Sequence, residues 1–155
     1  MFEWLESTAL AIWISESLWG YPTMLCLHVV GLAMVAGIFI MLDLRILGAI
    51  HGCPLLVFGR MLSIAWSGFA INLISGFALF SSQATKLIHN SFFLTKLAAV
   101  LVGVLVGAYV HNTLLAAMRS CDEAASPAKP SQILAVLSLL AWLTAIVSGR
   151  LIAYF

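Results

Sequence analysis

Apolar residues run almost unbroken through four long stretches, residues 21–47, 55–80, 92–118 and 133–155. Each reaches the roughly 20 residues that a helix needs to cross the hydrocarbon core of a bilayer. Between them lie segments with turn chemistry: GAIHGCP at 48–54, SSQATKLIHN at 81–90 and RSCDEAASPAKPSQ at 119–132. Pro127 and Pro130 are expected to bar helix in the last of these. Residues 1–20 read differently, mixing Phe2, Trp4, Leu5, Ile12, Trp13 and Trp19 with Glu3, Glu6 and Glu16. Tryptophan favours the headgroup level, so this segment is expected to be a helix lying in the membrane interface and entering the first span at Gly20-Tyr21-Pro22. The plainer alternative is a frayed amphipathic tail. The pattern predicts an all-α fold: one membrane domain over residues 1–155, an antiparallel four-helix bundle whose short loops make sequential spans pack together.

Composition agrees. Hydrophobic residues are 63% of the chain and charged residues 8%, against about a quarter charged in a soluble domain. That is too little charge to coat a surface in water, and the chain is too apolar for disorder. The net charge is +1 with no basic stripe, which argues against a nucleic-acid partner and leaves the lipid bilayer as the first one. Cys26, Cys53 and Cys121 show no CxxC spacing, so neither a disulfide framework, a thiolate metal site nor a covalent c-type haem is expected. A cleavable signal peptide is not expected either, since the first twenty residues carry three glutamates and no Lys or Arg.

Loop charges give an orientation. Arg45, Arg60, Arg119 and Lys129 fall on the side away from the N-terminus; Lys86 lies in the loop on the terminal side, with Lys96 and Arg150 a turn or more inside the spans. The positive-inside rule makes the far side cytoplasmic. Both termini are then expected on the outer side.

Ionisable groups at depth are costly and mark function by default. Counting 1.5 Å per residue from the span centres, His28 lies about 9 Å toward the terminal side, Lys96 roughly 13 Å and Arg150 about 10 Å. With Tyr154 and the loop residue His89 they form one polar layer. Asp43, Arg45, Arg60, His51 and His111 form another on the far side. His28 and His111 differ by about 18 Å in depth on parallel spans and cannot ligate one iron.

The terminal-side layer pairs a candidate ligand with cations. Neutral imidazole is the usual protein ligand of haem iron, and the two propionates of haem need positive partners. His28 is the expected axial ligand, with Lys96 and Arg150 near the propionates and Gly31, one turn on, leaving room for a ring. His89, Lys96 itself or nothing would take the other axial position. The plainer readings are a satisfied interior histidine bonded to a carbonyl or to Asn72, and cations snorkelling to headgroups.

On the third span Lys96, Gly103, Gly107 and His111 share a face. Gly103-x-x-x-Gly107 suits helix packing, or a flat cofactor lying against it. Gly68, Asn72 and Gly76 make a similar ladder on the second span, where Asn72 is expected to hydrogen-bond across the bundle. In the far layer an ion pair between Asp43 and Arg60 is expected, with Arg45 reaching headgroups. His111 with Met61 or Met41 is a weaker candidate for a second haem or for soft copper. Zinc is disfavoured, as no HxxxH, HExxH or cysteine cluster occurs. No Ser–His–acid set or phosphate loop is readable, and no catalytic residue is assigned.

The stretches LHVVGLAMVAG (27–37), LDLRILG (42–48), SGFALFSSQATKLIHNSFFLTKL (75–97) and SLLAWLTAIVSGRLIAYF (138–155) resemble a family of small bacterial inner-membrane proteins of unknown function. More distantly, a histidine early in the first span followed by glycine, and a lysine early in the third, resemble the HemJ-type protoporphyrinogen oxidases. That resemblance implies a small helical membrane protein that binds haem b through residues matching His28 and Lys96. The His-x-x-Gly opening, His28 to Gly31, is similar to that of CopD-type copper-resistance proteins. The chain departs from the HemJ pattern after Gly37, where LDLRILG replaces a proline–arginine aromatic segment, so the carry-over stops at haem binding.

The expected function is therefore that of a haem b protein passing electrons within the bilayer, to or from quinone or a redox protein, and acting as a haem-dependent membrane oxidoreductase if it is an enzyme. Other classes compete with it: a transporter or assembly factor for a metal or small anion, or a structural subunit of a respiratory complex. Four spans without repeats are few for alternating access, though a homo-oligomer would supply more.

Overall fold

In a computed structural model, residues 2–50, 55–119 and 129–154 are described, apart from the side chains at 55–58, 111, 114–119 and 129–131. The described residues form helices α1 (Glu3–Glu6), α2 (Ala9–Glu16), α3 (Gly20–Ile46), α4 (Leu55–Ser82), α5 (Ala84–Leu87), α6 (Ser91–Arg119) and α7 (Lys129–Leu151), with no strand among them. Four of these, α3, α4, α6 and α7, are long and apolar enough to cross a membrane. They fall where the sequence pattern puts them, with one correction: α7 begins before Pro130 rather than after it. The first turn of a helix has no use for the N–H that proline lacks, so Pro130 fits the start of the helix instead of barring it.

The N-terminal segment is two short helices rather than one. Thr8 takes an extended backbone and its side chain accepts from Ala11 N, capping α2 and breaking it from α1. Ala11 and Ile14 are fully buried, while Leu10, Ile12, Trp13 and Trp19 stay exposed, and α2 packs on α3 and α4. Phe2 meets Phe80 edge-on at 6.2 Å, and Glu6 Oε1 accepts from Thr85 N at 2.8 Å. The segment is thus docked on the bundle by apolar and polar contacts and is not a loose tail.

At its other end α3 stops on Gly48, whose φ of 79° a side chain would resist. Gly48 N donates to Arg45 O at 3.1 Å and Ala49 N to Leu44 O at 2.9 Å, satisfying two of the last carbonyls.

The bundle is built from two helix pairs, α3 with α4 and α6 with α7, joined chiefly between α3 and α7. The first pair approaches closely. A Cβ on Gly31 would stand 2.7 Å from Asn72 N, and one on Gly68 would stand 2.6 Å from Met34 Cβ. The join between the pairs is aromatic. Phe39 stacks on Trp142 with centroids 5.8 Å apart and meets Trp66 edge-on at 6.1 Å. These rings also lie on the glycine face of α6, Trp142 over Gly103 and Phe39 over Gly107. The flat groups against that face are therefore the protein's own aromatic side chains. Around the outside, Leu101, Leu105, Ile133 and Val147 are each more than half exposed. Such an apolar exterior suits lipid, and the chain is an all-helical, multi-pass membrane protein.

Candidate functional site

His28 lies two turns into α3, and its ring enters the bundle toward α4 and α6. Nδ1 lies 3.0 Å from Asn72 O. A carbonyl only accepts, so Nδ1 carries the hydrogen and Nε2 presents its lone pair. Ser75 Oγ, which donates to Ile71 O at 2.6 Å, lies 3.4 Å from the same Nδ1. Asn72 Nδ2 in turn donates to His28 O at 2.8 Å, the cross-bundle bond expected of Asn72. Backbone and side chain of one α4 residue thus grip both the ring and the backbone of His28.

The free side of the ring faces Lys96. Its Nζ donates to His28 Nε2 at 3.0 Å, reaching across from α6. One glycine makes the room for the ring, and a second lies beside the lysine stem. A Cβ on Gly76 would stand 2.9 Å from His28 Cε1, and one on Gly149 would stand 3.4 Å from Lys96 Cδ. All four long helices therefore meet at one point, which holds an imidazole lone pair, an ammonium group and two positions without side chains. Among the described residues no carboxylate pairs with Lys96, whose polar partner is the imidazole. A half-buried cation with only a neutral neighbour remains available for a negative group.

The other expected site residues lie apart from this point. Gly31 is packed against the α4 backbone, which takes the space a ring was expected to use. Arg150 is exposed; it donates to Tyr154 Oη at 3.3 Å and lies over that ring at 5.5 Å. His89 is exposed, with Nδ1 3.1 Å from Thr85 O, in a surface pocket with Lys86, Asn90, Ser91 and Phe92. The side chain of His111, and the residues His51, Cys53 and Cys121, lie outside the described set. Met61 is half-buried and Met41 exposed. No three His, Cys, Asp or Glu side chains come together among the described residues.

The expected Asp43–Arg60 ion pair does not form. Both residues sit at the same end of neighbouring helices, but Arg60 is exposed, whereas Asp43 is buried and turns toward Ser138 on α7. Depth along a helix follows from residue number; the face depends on how the helices are rotated against one another. Ser75 and Gly149 are site residues that the sequence reading does not single out. Ser75 is within its reach, because a residue three after Asn72 shares its helix face.

A helical membrane bundle with a histidine–lysine centre in its interior is the class that fold and site define. Residues 1–155 match the model of a family of unknown function, DUF6644, and the chain belongs to that family. No curated protein matches the chain. No solved structure matches it.

Proposed function

We propose that the protein binds one haem b with His28 as an axial ligand and serves electron transfer within the membrane. The observation that carries this reading is the held imidazole, with Nδ1–H bonded to Asn72 O and the Nε2 lone pair directed toward the bundle interior. A hydrogen bond at the far nitrogen is how proteins fix the tautomer and orientation of a metal-ligating histidine and raise its basicity. Without haem, Lys96 caps that lone pair. With haem, Lys96 would leave Nε2 and offset a propionate. The resemblance of His28, Gly31 and Lys96 in the sequence to HemJ-type and CopD-type membrane proteins would imply the same chemistry. The sequence resemblance implies a bacterial inner membrane, and loop charges would put the His28 end on its periplasmic side, where quinone or a redox protein would exchange electrons.

Expression with a haem precursor and an absorption spectrum of the purified protein test this. A Soret band that disappears in His28→Ala is the expected result; a colourless wild-type protein contradicts it.

A second reading rests on Lys96. Its ammonium group has no carboxylate partner among the described residues, which suits a small anion bound between α3 and α6 in a transporter. Anion-dependent protection of Lys96 from amine-reactive reagents, in protein that takes up no haem, would favour it.

A further inference from the structure

Apart from the His28 centre, the spans contain a single acidic residue, Asp43, and it lacks what a buried carboxylate needs. It is 2% exposed, within a core that includes Phe39, Leu42, Ile46 and Leu62. Its Oδ2 has no hydrogen-bond partner among the described residues. Ser138 of α7 faces it and is 1% exposed, and the serine Oγ has no partner within hydrogen-bonding geometry either. Ser67, Ser75, Thr95 and Thr144 behave differently: each donates to the carbonyl four residues back. That back-bond is the default for a hydroxyl on an apolar helix. Ser138 makes no such bond, and its buried hydroxyl is left without a partner beside the acid.

No cation faces the carboxyl group among the described side chains. From α7 the facing group is neutral Ser138. On α4 the packed residues are Leu62 and Ala65, while Arg60 is exposed. On α6 they are Val106 and Val110; His111 follows, its side chain outside the described residues. Arg45, two residues on along α3, is half-buried and has an interaction of its own; residues two apart on a helix do not face each other. An unpaired carboxylate in such surroundings neutralises by taking up a proton. The Phe39–Trp142 stack lies one turn nearer the terminal side, and His28 is about 22 Å away along α3. The two polar centres are therefore separated by an aromatic layer and face opposite sides.

We propose that Asp43 and Ser138 form a proton-binding site on the far side of the Phe39–Trp142 stack. The carboxylate takes one proton from the aqueous phase of that side and becomes a carboxylic acid whose O–H donates to Ser138 Oγ. A group of this kind lets a membrane protein balance a charge arriving elsewhere in the bundle. The site uses none of the residues assigned to haem and stands without that reading.

Infrared spectroscopy of the full chain in vesicles of ether lipids, which carry no ester carbonyl, tests it at neutral pH. Asp43 is the one acidic side chain within the four spans. A carboxylic-acid carbonyl band is assigned to Asp43 by its response to Asp43→Asn and to carbon-13 aspartate. The band is expected in wild type, to shift in deuterium oxide, to move in frequency in Ser138→Ala and to vanish in Asp43→Asn. Carbon-13 aspartate incorporated into the unmodified chain shifts the same band, which keeps the assignment independent of how well the variant folds. Absence of the band in wild type, no response to labelled aspartate, or no shift in deuterium oxide would each overturn the proposal.

Discussion

Lys96 Nζ stands 3.0 Å from His28 Nε2 although the two residues belong to α6 and α3, parallel helices in different pairs of the bundle. The contact ties the pairs together at the terminal side, whereas Phe39 and Trp142 tie them at mid-depth. It also puts a positive group directly on the one ring nitrogen able to bind iron. In the haem reading, Lys96 is a cap that must yield before the ligand is used.

Lys96→Met should therefore separate two effects. The haem-free protein should lose the tie between α3 and α6 and melt at lower temperature, by about 1 kcal/mol of stability, as for polar contacts between membrane helices. The haem-bound protein should show a lowered reduction potential, because removing a positive charge favours the ferric state. A thermal melt and a redox titration read these separately. An unchanged potential would mean that Lys96 does not reach the haem.

The glycines offer a sharper contrast. An alanine at Gly76 places its Cβ 2.9 Å from His28 Cε1, so the ring must shift off Asn72 O. An alanine at Gly37 meets nothing within 4 Å. Gly76→Ala should lower haem content several-fold, while Gly37→Ala should leave it intact and add up to about 1 kcal/mol through helix propensity. Equal haem content in the two variants would mean that the position of the His28 ring does not govern binding.

Gly31→Ala tests packing rather than chemistry. Its Cβ would stand 2.7 Å from Asn72 N and 2.8 Å from Gly68 O, both backbone atoms that cannot rotate away. Overpacking of this kind costs about 1–3 kcal/mol. Detergent-resistance melts should show that loss in the haem-free protein. A neutral result would mean that α3 and α4 stand further apart than so close an approach allows.

Asn72→Ala should cost stability and spare the ligand geometry. It removes the donor to His28 O at 2.8 Å but leaves its own backbone carbonyl, which holds Nδ1. About 0.6–2 kcal/mol should be lost in a melt, with the Soret maximum unmoved. A displaced maximum would show that the Asn72 side chain also sets the ring.

What the sequence reveals depends on which quantities are local. Span positions are legible because hydrophobic length is a property of contiguous residues, and depth is legible because the rise per residue is constant. That is enough to set His28 near Lys96 and to keep His111 away from His28. Rotation about the helix axes is a tertiary property. Hence the residue pattern pairs Asp43 with Arg60 although it faces Ser138, and groups Arg150 with Lys96 although it folds onto Tyr154. The break at Thr8 and the start of α7 ahead of Pro130 escape it for a smaller reason. Both are cap positions, where one residue decides the boundary and periodicity is silent.

The most direct measurement is the haem-to-protein ratio of purified wild type, His28→Ala and His111→Ala, prepared side by side from cells supplied with haem precursor. One haem per chain is expected for wild type and for His111→Ala, and none for His28→Ala with its helix content retained. A wild-type protein without haem, or a folded His28→Ala protein that keeps it, would contradict the assignment of His28 as the ligand.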